Sequence, residues 1–280
     1  MTSATATLDS APGRAARLKF LVADSFVIAK RSAAHIRQIP EKLIDVTIQP
    51  LMFVLLFAFV FGNVIDVPGG DYREYLIGGI LIQTLVFGMM GPGTSMAMDL
   101  KEGILDRFRS LPMSRNAYLF GHLTAEFAAS MLAITVMIVT GFVIGWGIHS
   151  SVPEAIAGFG LMILLAITMI WFGTLIGISV RSADAVQGIA FLVIFPLTFV
   201  SSTFVPVDGL PNGLRQFAEW NPVSCLAAAV RTLFGNPTAT PPDAAWPLQH
   251  PVLASTIWCV AILAVVVPLT FRAFRKRTTG

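Results

Sequence analysis

Six apolar stretches, each long enough to cross a hydrocarbon core of about 30 Å as a helix, constrain this chain more than any other feature of its sequence. They run from Val46 to Val64, Tyr75 to Met98, Tyr118 to Gly145, Ala155 to Val180, Ala185 to Phe204 and Pro251 to Phe271. Inside lipid no water satisfies backbone N–H and C=O groups, so each stretch has to be helical. With 55% of its 280 residues hydrophobic and 12% charged, the chain reads as an all-α polytopic membrane protein with six transmembrane helices over residues 46–271.

Charge sets the orientation, because Lys and Arg near span ends stay in the cytoplasm. Seven precede Val46, four lie between Asp99 and Ala117, Arg181 stands between the fourth and fifth runs, and four follow Phe271. Only Arg73, Arg215 and Arg231 fall on the opposite side. Sixteen of the nineteen basic residues therefore predict a multi-pass plasma (inner) membrane protein with both termini cytoplasmic. The net charge of +3 reports topology and anionic headgroups rather than nucleic acid. Residues 1–17 read as a disordered tail with no apolar signal-peptide core before Leu18, and residues 272–280 as a basic cytoplasmic tail. Cys225 and Cys259 have neither metal spacing nor a disulfide framework.

Between the tail and the first run, residues 18–45 have Leu18, Leu21, Val22, Phe26, Ile28, Ile36 and Ile39 on one arc and charges around most of the remainder. This predicts an amphipathic interfacial elbow helix, either on lipid alone or also touching a partner. The charge-dense stretch Asp99 to Arg115 separates the second and third runs. Leu100, Ile104, Phe108 and Leu111 share one helical face, with Lys101, Glu102, Asp106, Arg107 and Arg109 on the rest and Pro112 as the stop. Too short and too charged to span, a helix over residues 99–111 must rest its apolar stripe on lipid or on another protein.

Within the spans, Phe53, Phe57 and Phe61 recur at four-residue spacing, and Phe191, Phe195 and Phe199 repeat the device around Pro196. Two such stripes would line a path for flat apolar molecules, or serve as ordinary packing and lipid-facing residues. The second run holds Gly78, Gly79, Gly88, Gly91, Pro92 and Gly93, which predicts a kink or local unwinding in its cytoplasmic half. His122 and Glu126 lie one turn apart near the inner interface. An intramembrane carboxylate is either a proton carrier or partner for a cationic substrate, or a first-turn acid reaching headgroups or an arginine of the 99–111 helix. Gly141-xxx-Gly145 and Gly173-xxx-Gly177 predict close helix contacts. In residues 205–250, Pro211 and Pro222 stand at helix starts, Asn221 is an N-cap and Gly235 a stop. Two short helices there either re-enter the outer leaflet or form an external cap, and the proline-rich stretch from Asn236 to Pro247 is expected to be an extended linker.

Two segments, Met98 through Pro112 to Gly121 and Glu126, and Phe204 to Gly235, resemble the corresponding regions of type-2 ABC exporter permeases, in particular the daunorubicin/doxorubicin-resistance permeases. The pattern Glu102-Gly103-Ile104-Leu105 followed by Arg107-Phe108-Arg109 resembles the coupling helix that seats on a separate ATPase subunit. The resemblance implies an ABC-2 permease fold with re-entrant helices before the last span. It implies ATPase coupling through Leu100, Glu102, Gly103, Ile104, Asp106, Arg107, Phe108 and Arg109. It also implies a dimer, with a second copy or a related permease, whose first, second and fifth spans line the cargo path.

The sequence contains no Gly-Lys pair, so it has no phosphate-binding P-loop. ATP and Mg are expected on the partner, and the chain is not expected to be an enzyme or to bind a cofactor or metal. Two function classes remain: an exporter permease for hydrophobic drug-like or lipid cargo, and a membrane-embedded lipid-modifying enzyme in which His122 and Glu126 would be catalytic. The second lacks another polar cluster on a neighbouring span.

Overall fold

The computed structural model describes residue 48 and residues 51–61, 65, 67–104 and 117–279. The tail 1–17, the elbow expected over residues 18–45 and the coupling positions Asp106, Arg107, Phe108 and Arg109 lie outside the described residues.

Every regular element among the described residues is helical. Helix α1 covers 51–61 and closes in a π-helical turn, Phe57–Phe61. Then come α2 (Tyr72–Phe87), α3 (Met90–Lys101), α4 (Ala117–Ile144), α5 (Val152–Ser179) and α6 (Ala183–Phe199). The chain ends with α7 (Asn212–Trp220), α8 (Pro222–Phe234), α9 (Trp246–Gln249) and α10 (Pro251–Thr279). Among the described residues four helices are long and apolar enough to cross a membrane: Tyr72–Lys101 with α2 and α3 taken together, Tyr118–Ile144, Val152–Ser179 and Pro251–Arg277. Helices α6 and α8 are apolar but shorter.

The kink expected in the second run is a break at Gly88 and Met89 between α2 and α3. Beyond it α3 lies against α5 and α6, and Gly173 and Gly177 make that approach possible. A Cβ on either would collide with the carbonyl oxygen of Met89 or Gly93, so the helices meet backbone to backbone. The other small-residue pair divides. Gly141 packs against Ile77 and Trp146, whereas Gly145 ends α4 at φ +100° with nothing near it.

The core is built around α2, whose Tyr75, Leu76, Ile77, Ile80, Leu81 and Ile82 are all buried. Helix α8, from the segment expected outside the spans, is equally buried and packs against α2, α5 and α10. Its ends follow local chemistry: the Asn221 side chain accepts from the Val223 amide, Pro222 opens the first turn, and Gly235 closes it in the left-handed conformation. Helix α7 is amphipathic with its charges inward. Leu214, Phe217 and Trp220 are exposed, while Arg215 donates to Glu219 (2.8 Å) and Asp243 (2.8 Å). The stretch from Asn236 to Pro247, expected to be extended throughout, is caught by that Asp243 contact and turns into α9 at Trp246.

Candidate functional site

Helix α6 buries only Val186, Ala190, Ile194 and Thr198, one residue per turn and therefore one narrow stripe. Phe191, Phe195 and Phe199 each follow a stripe residue by one position, about 100° around the helix, and so stand on its rim. They are 50%, 45% and 39% exposed. Their rings form a series: Phe87 to Phe191 at 6.3 Å between centroids, Phe191 to Phe195 at 6.5 Å, Phe195 to Phe199 at 4.2 Å. On α1, Phe53 and Phe57 stack at 6.2 Å; the Phe61 backbone belongs to the π-helical turn.

The two series are not separate facing stripes. Phe204, 5% exposed, lies 5.3 Å from Phe199 and 4.4 Å from Phe57, so it joins them into one aromatic strip from Phe53 to Phe87. The sequence predicts Phe204 as the last residue of a fifth span. In fact α6 ends at Phe199, and the carbonyls of Ser202, Thr203 and Phe204 are claimed from outside it.

The main claimant is Arg231, which the charge tally counts among the outward-facing residues. It has 0% exposure. Its Nε donates to the Tyr75 carbonyl at 2.8 Å, and its two terminal nitrogens to the carbonyls of Ser202 and Thr203, each at 2.9 Å. The guanidinium lies 3.5 Å over the Tyr75 ring, a desolvated cation–π contact. The Tyr75 hydroxyl donates to Ser202 O at 2.6 Å and Tyr72 to Phe204 O at 3.1 Å. Gly78 and Gly79 make room, since a Cβ at Gly78 would stand 2.8 Å from Arg231 Cγ and one at Gly79 would strike the Thr203 carbonyl. Phe204 is thereby held in place by α2 and α8. A lone arginine in the otherwise apolar run from Val223 to Phe234 is the signal that would have found this knot.

At the opposite end, α3 runs through Lys101 and stops at Glu102. Gly103, at φ +67°, takes the left-handed conformation that suits a helix C-terminus, and helical backbone resumes at Ile104. The segment expected as one helix from Asp99 is therefore interrupted, because Gly103 breaks the register between Leu100 and Ile104. Both side chains are half-buried against a cluster of Met96, Tyr118, Leu119, Leu123 and Phe274, so the first half of the apolar stripe faces this chain's own core. Lys101 and Glu102 are exposed. Nearby, the Tyr118 hydroxyl donates to Asp99. Among the described residues Glu126 meets Ser95, whose hydroxyl lies 2.8 Å from Oε1; the arginines of the 99–111 segment lie outside them. His122 is buried, with its ring stacked on Tyr118. No group of three His, Cys, Asp or Glu side chains among the described residues is arranged to hold a metal.

A helical, apolar-surfaced bundle with an exposed aromatic strip, its few interior charges held by hydrogen bonds, defines a membrane-embedded helical protein. The chain belongs to the ABC-2 type transporter family, whose model matches residues 24–234. It is 26% identical over 249 residues to the daunorubicin resistance ABC transporter permease protein DrrB1 of Streptomyces coeruleorubidus, covering 88% of this chain and 84% of that one. It is 28% identical over 225 residues to the doxorubicin resistance ABC transporter permease protein DrrB of Mycobacterium tuberculosis, covering 77% and 78%. The putative transport permease ycf38 of Cyanophora paradoxa is 26% identical over 222 residues, covering 78% and 76%.

Proposed function

We propose that this chain is the permease subunit of an ATP-driven exporter that moves hydrophobic, drug-like compounds out of the cell. It would sit in the plasma (inner) membrane with both termini cytoplasmic, paired with a second permease copy. A separate ATPase subunit holding ATP and Mg would drive it through the segment from Asp99 to Leu111. Family membership and the drug-resistance names of its relatives support the class. The observation that carries the reading is the aromatic strip. Six phenylalanines in contact from Phe53 to Phe191, three of them 39–50% exposed, give apolar, flat-faced contact at successive depths that a greasy ring system can exchange between rather than bind tightly.

The test is efflux. Phe195→Ala and Phe199→Ala remove stacking surface without touching the buried stripe, and each is expected to lower transport of planar hydrophobic compounds several-fold at unchanged protein level. Unchanged efflux across a drug panel, with a lipid instead accumulating in the inner leaflet, would assign the same permease to lipid cargo. Unchanged transport of both would remove the strip from the path.

A further inference from the structure

A polar ladder joins the cytoplasmic halves of α3 and α4. On α3, Gly91, Ser95 and Asp99 recur at four-residue spacing, and on α4 Tyr118, His122 and Glu126 do the same, so each set forms one line along its helix. The lines meet at two levels. At the helix ends the Tyr118 hydroxyl donates to the Asp99 carboxylate. One turn further in along α3 and two along α4, the Ser95 hydroxyl lies 2.8 Å from Glu126 Oε1 and 2.9 Å from the Gly91 carbonyl of its own helix, and a carboxylate is the stronger acceptor for its one hydrogen. Glu126 Oε2 faces Gly91, where a Cβ would stand 3.2 Å away. Buried His122 fills the level between, stacked on Tyr118 with centroids 6.3 Å apart. From Tyr118 to Glu126 the ladder covers about 12 Å of helix.

The chain between the outermost rung, Asp99 and Tyr118, is the expected coupling segment. Leu100 and Ile104 also pack at its base, but apolar contacts are non-directional and let helices slide or turn. Two hydrogen bonds at different depths fix both rotation and register, because each weakens steeply away from its preferred geometry.

We propose that Ser95, Asp99, Tyr118 and Glu126 are positioning residues for transport: they bind the two ends of the coupling segment into one unit, so that a displacement imposed on the segment reaches α3 and α4 together. In this role Glu126 serves as a hydrogen-bond acceptor, not as a proton carrier or a counter-charge for cationic cargo. The proposal rests on the coupling reading given above.

The experiment uses the full chain with its ATPase in proteoliposomes and reads three quantities: ATPase association, ATP hydrolysis, and cargo moved per ATP. Tyr118→Phe and Ser95→Ala each remove one donor at little change in volume. They are expected to leave association and hydrolysis at parental levels while cargo per ATP falls about threefold or more. Glu126→Leu should do the same, and adding Ser95→Ala to it should cost nothing further because the bond is already gone. Glu126→Gln keeps an oxygen for the Ser95 hydroxyl and should restore coupling. If Glu126→Gln falls as far as Glu126→Leu, the charge is what matters and the positioning role is overturned. Parental coupling in Tyr118→Phe and Ser95→Ala overturns it equally. Failure of the underlying reading looks different: Phe108→Ala in the otherwise unchanged chain would then leave ATPase association intact, whatever the ladder variants do.

Discussion

A guanidinium with no exposure has to recover its lost hydration from protein atoms, and Arg231 does so from three carbonyls and one aromatic face rather than from a carboxylate. Arg231→Met removes the donors but leaves the acceptors buried. At about 1–3 kcal/mol for each unsatisfied group, the loss is expected to reach about 3 kcal/mol or more, read as earlier denaturant unfolding in detergent. Arg231→Lys should recover only part of it, since an ammonium has neither the planar fork nor the ring-stacking face. The sequence made the phenylalanine spacing legible but not the join at Phe204, because that join depends on carbonyls beyond the end of helix α6 being held by a residue far along the chain. Glu126 likewise stood out as an intramembrane acid, while its partner Ser95 is one hydroxyl among many and becomes visible only once α3 and α4 are paired.

Helices whose ends are written in local chemistry were the readable ones. Asn221, Pro222 and Gly235 mark α8 without any tertiary information, whereas the stop at Gly103 was hidden by an apolar spacing that continues across it. Helices α3 and α5 meet through Gly173 and Gly177 with no room for a side chain. Gly173→Leu is therefore expected to force them apart at a cost of about 1–3 kcal/mol, seen as reduced folded yield, while the same change at Gly160, which has nothing within 4 Å, should be tolerated. The contact between α7 and the stretch after α8 has its own pH dependence. Hydrogen bonding from Arg215 holds the Asp243 carboxyl below the usual carboxylate range. A depressed pKa in the folded state contributes stability above the unfolded value and loses it as pH falls through the folded one. The contact should accordingly hold through the ordinary carboxylate range and loosen only under stronger acid, and Asp243→Asn should remove that contribution. Trp246 and Trp220 fluorescence across an acid titration would report both.

At the scale of the whole molecule the exposed charges gather at two ends, while Arg231 is held inside. His149 meets Glu74 at 2.7 Å, Ser150 donates to the Leu233 carbonyl, and Arg215 ties Asp243 at one end. Asp99, Lys101, Arg272 and Arg275 belong to the other. With the charge asymmetry, this predicts that single cysteines at positions 73, 150 and 243 react with an impermeant thiol reagent added outside intact cells and that those at 101 and 275 do not. External labelling at 101 would reverse the topology and with it the coupling assignment. The helical, multi-pass character was the most legible property, since hydropathy acts over whole segments, and four helices among the described residues are long and apolar enough to span. The burial of α8 was not, because its composition is that of an apolar helix in either setting and only its packing against α2, α5 and α10 decides between them.

The buried arginine also bears on how the chain is made. Helix α8 has 13 residues, about 20 Å, and carries a cation that costs roughly 2.5–3.5 kcal/mol at the centre of an inserting helix. It is poorly suited to partition into the bilayer alone. Every group that accepts from Arg231, the carbonyls of Tyr75, Ser202 and Thr203, precedes it in the sequence and leaves the ribosome first. Biogenesis therefore has a built-in order: the carbonyls that receive the charge are synthesised before it, and α10, which completes the packing of α8, follows.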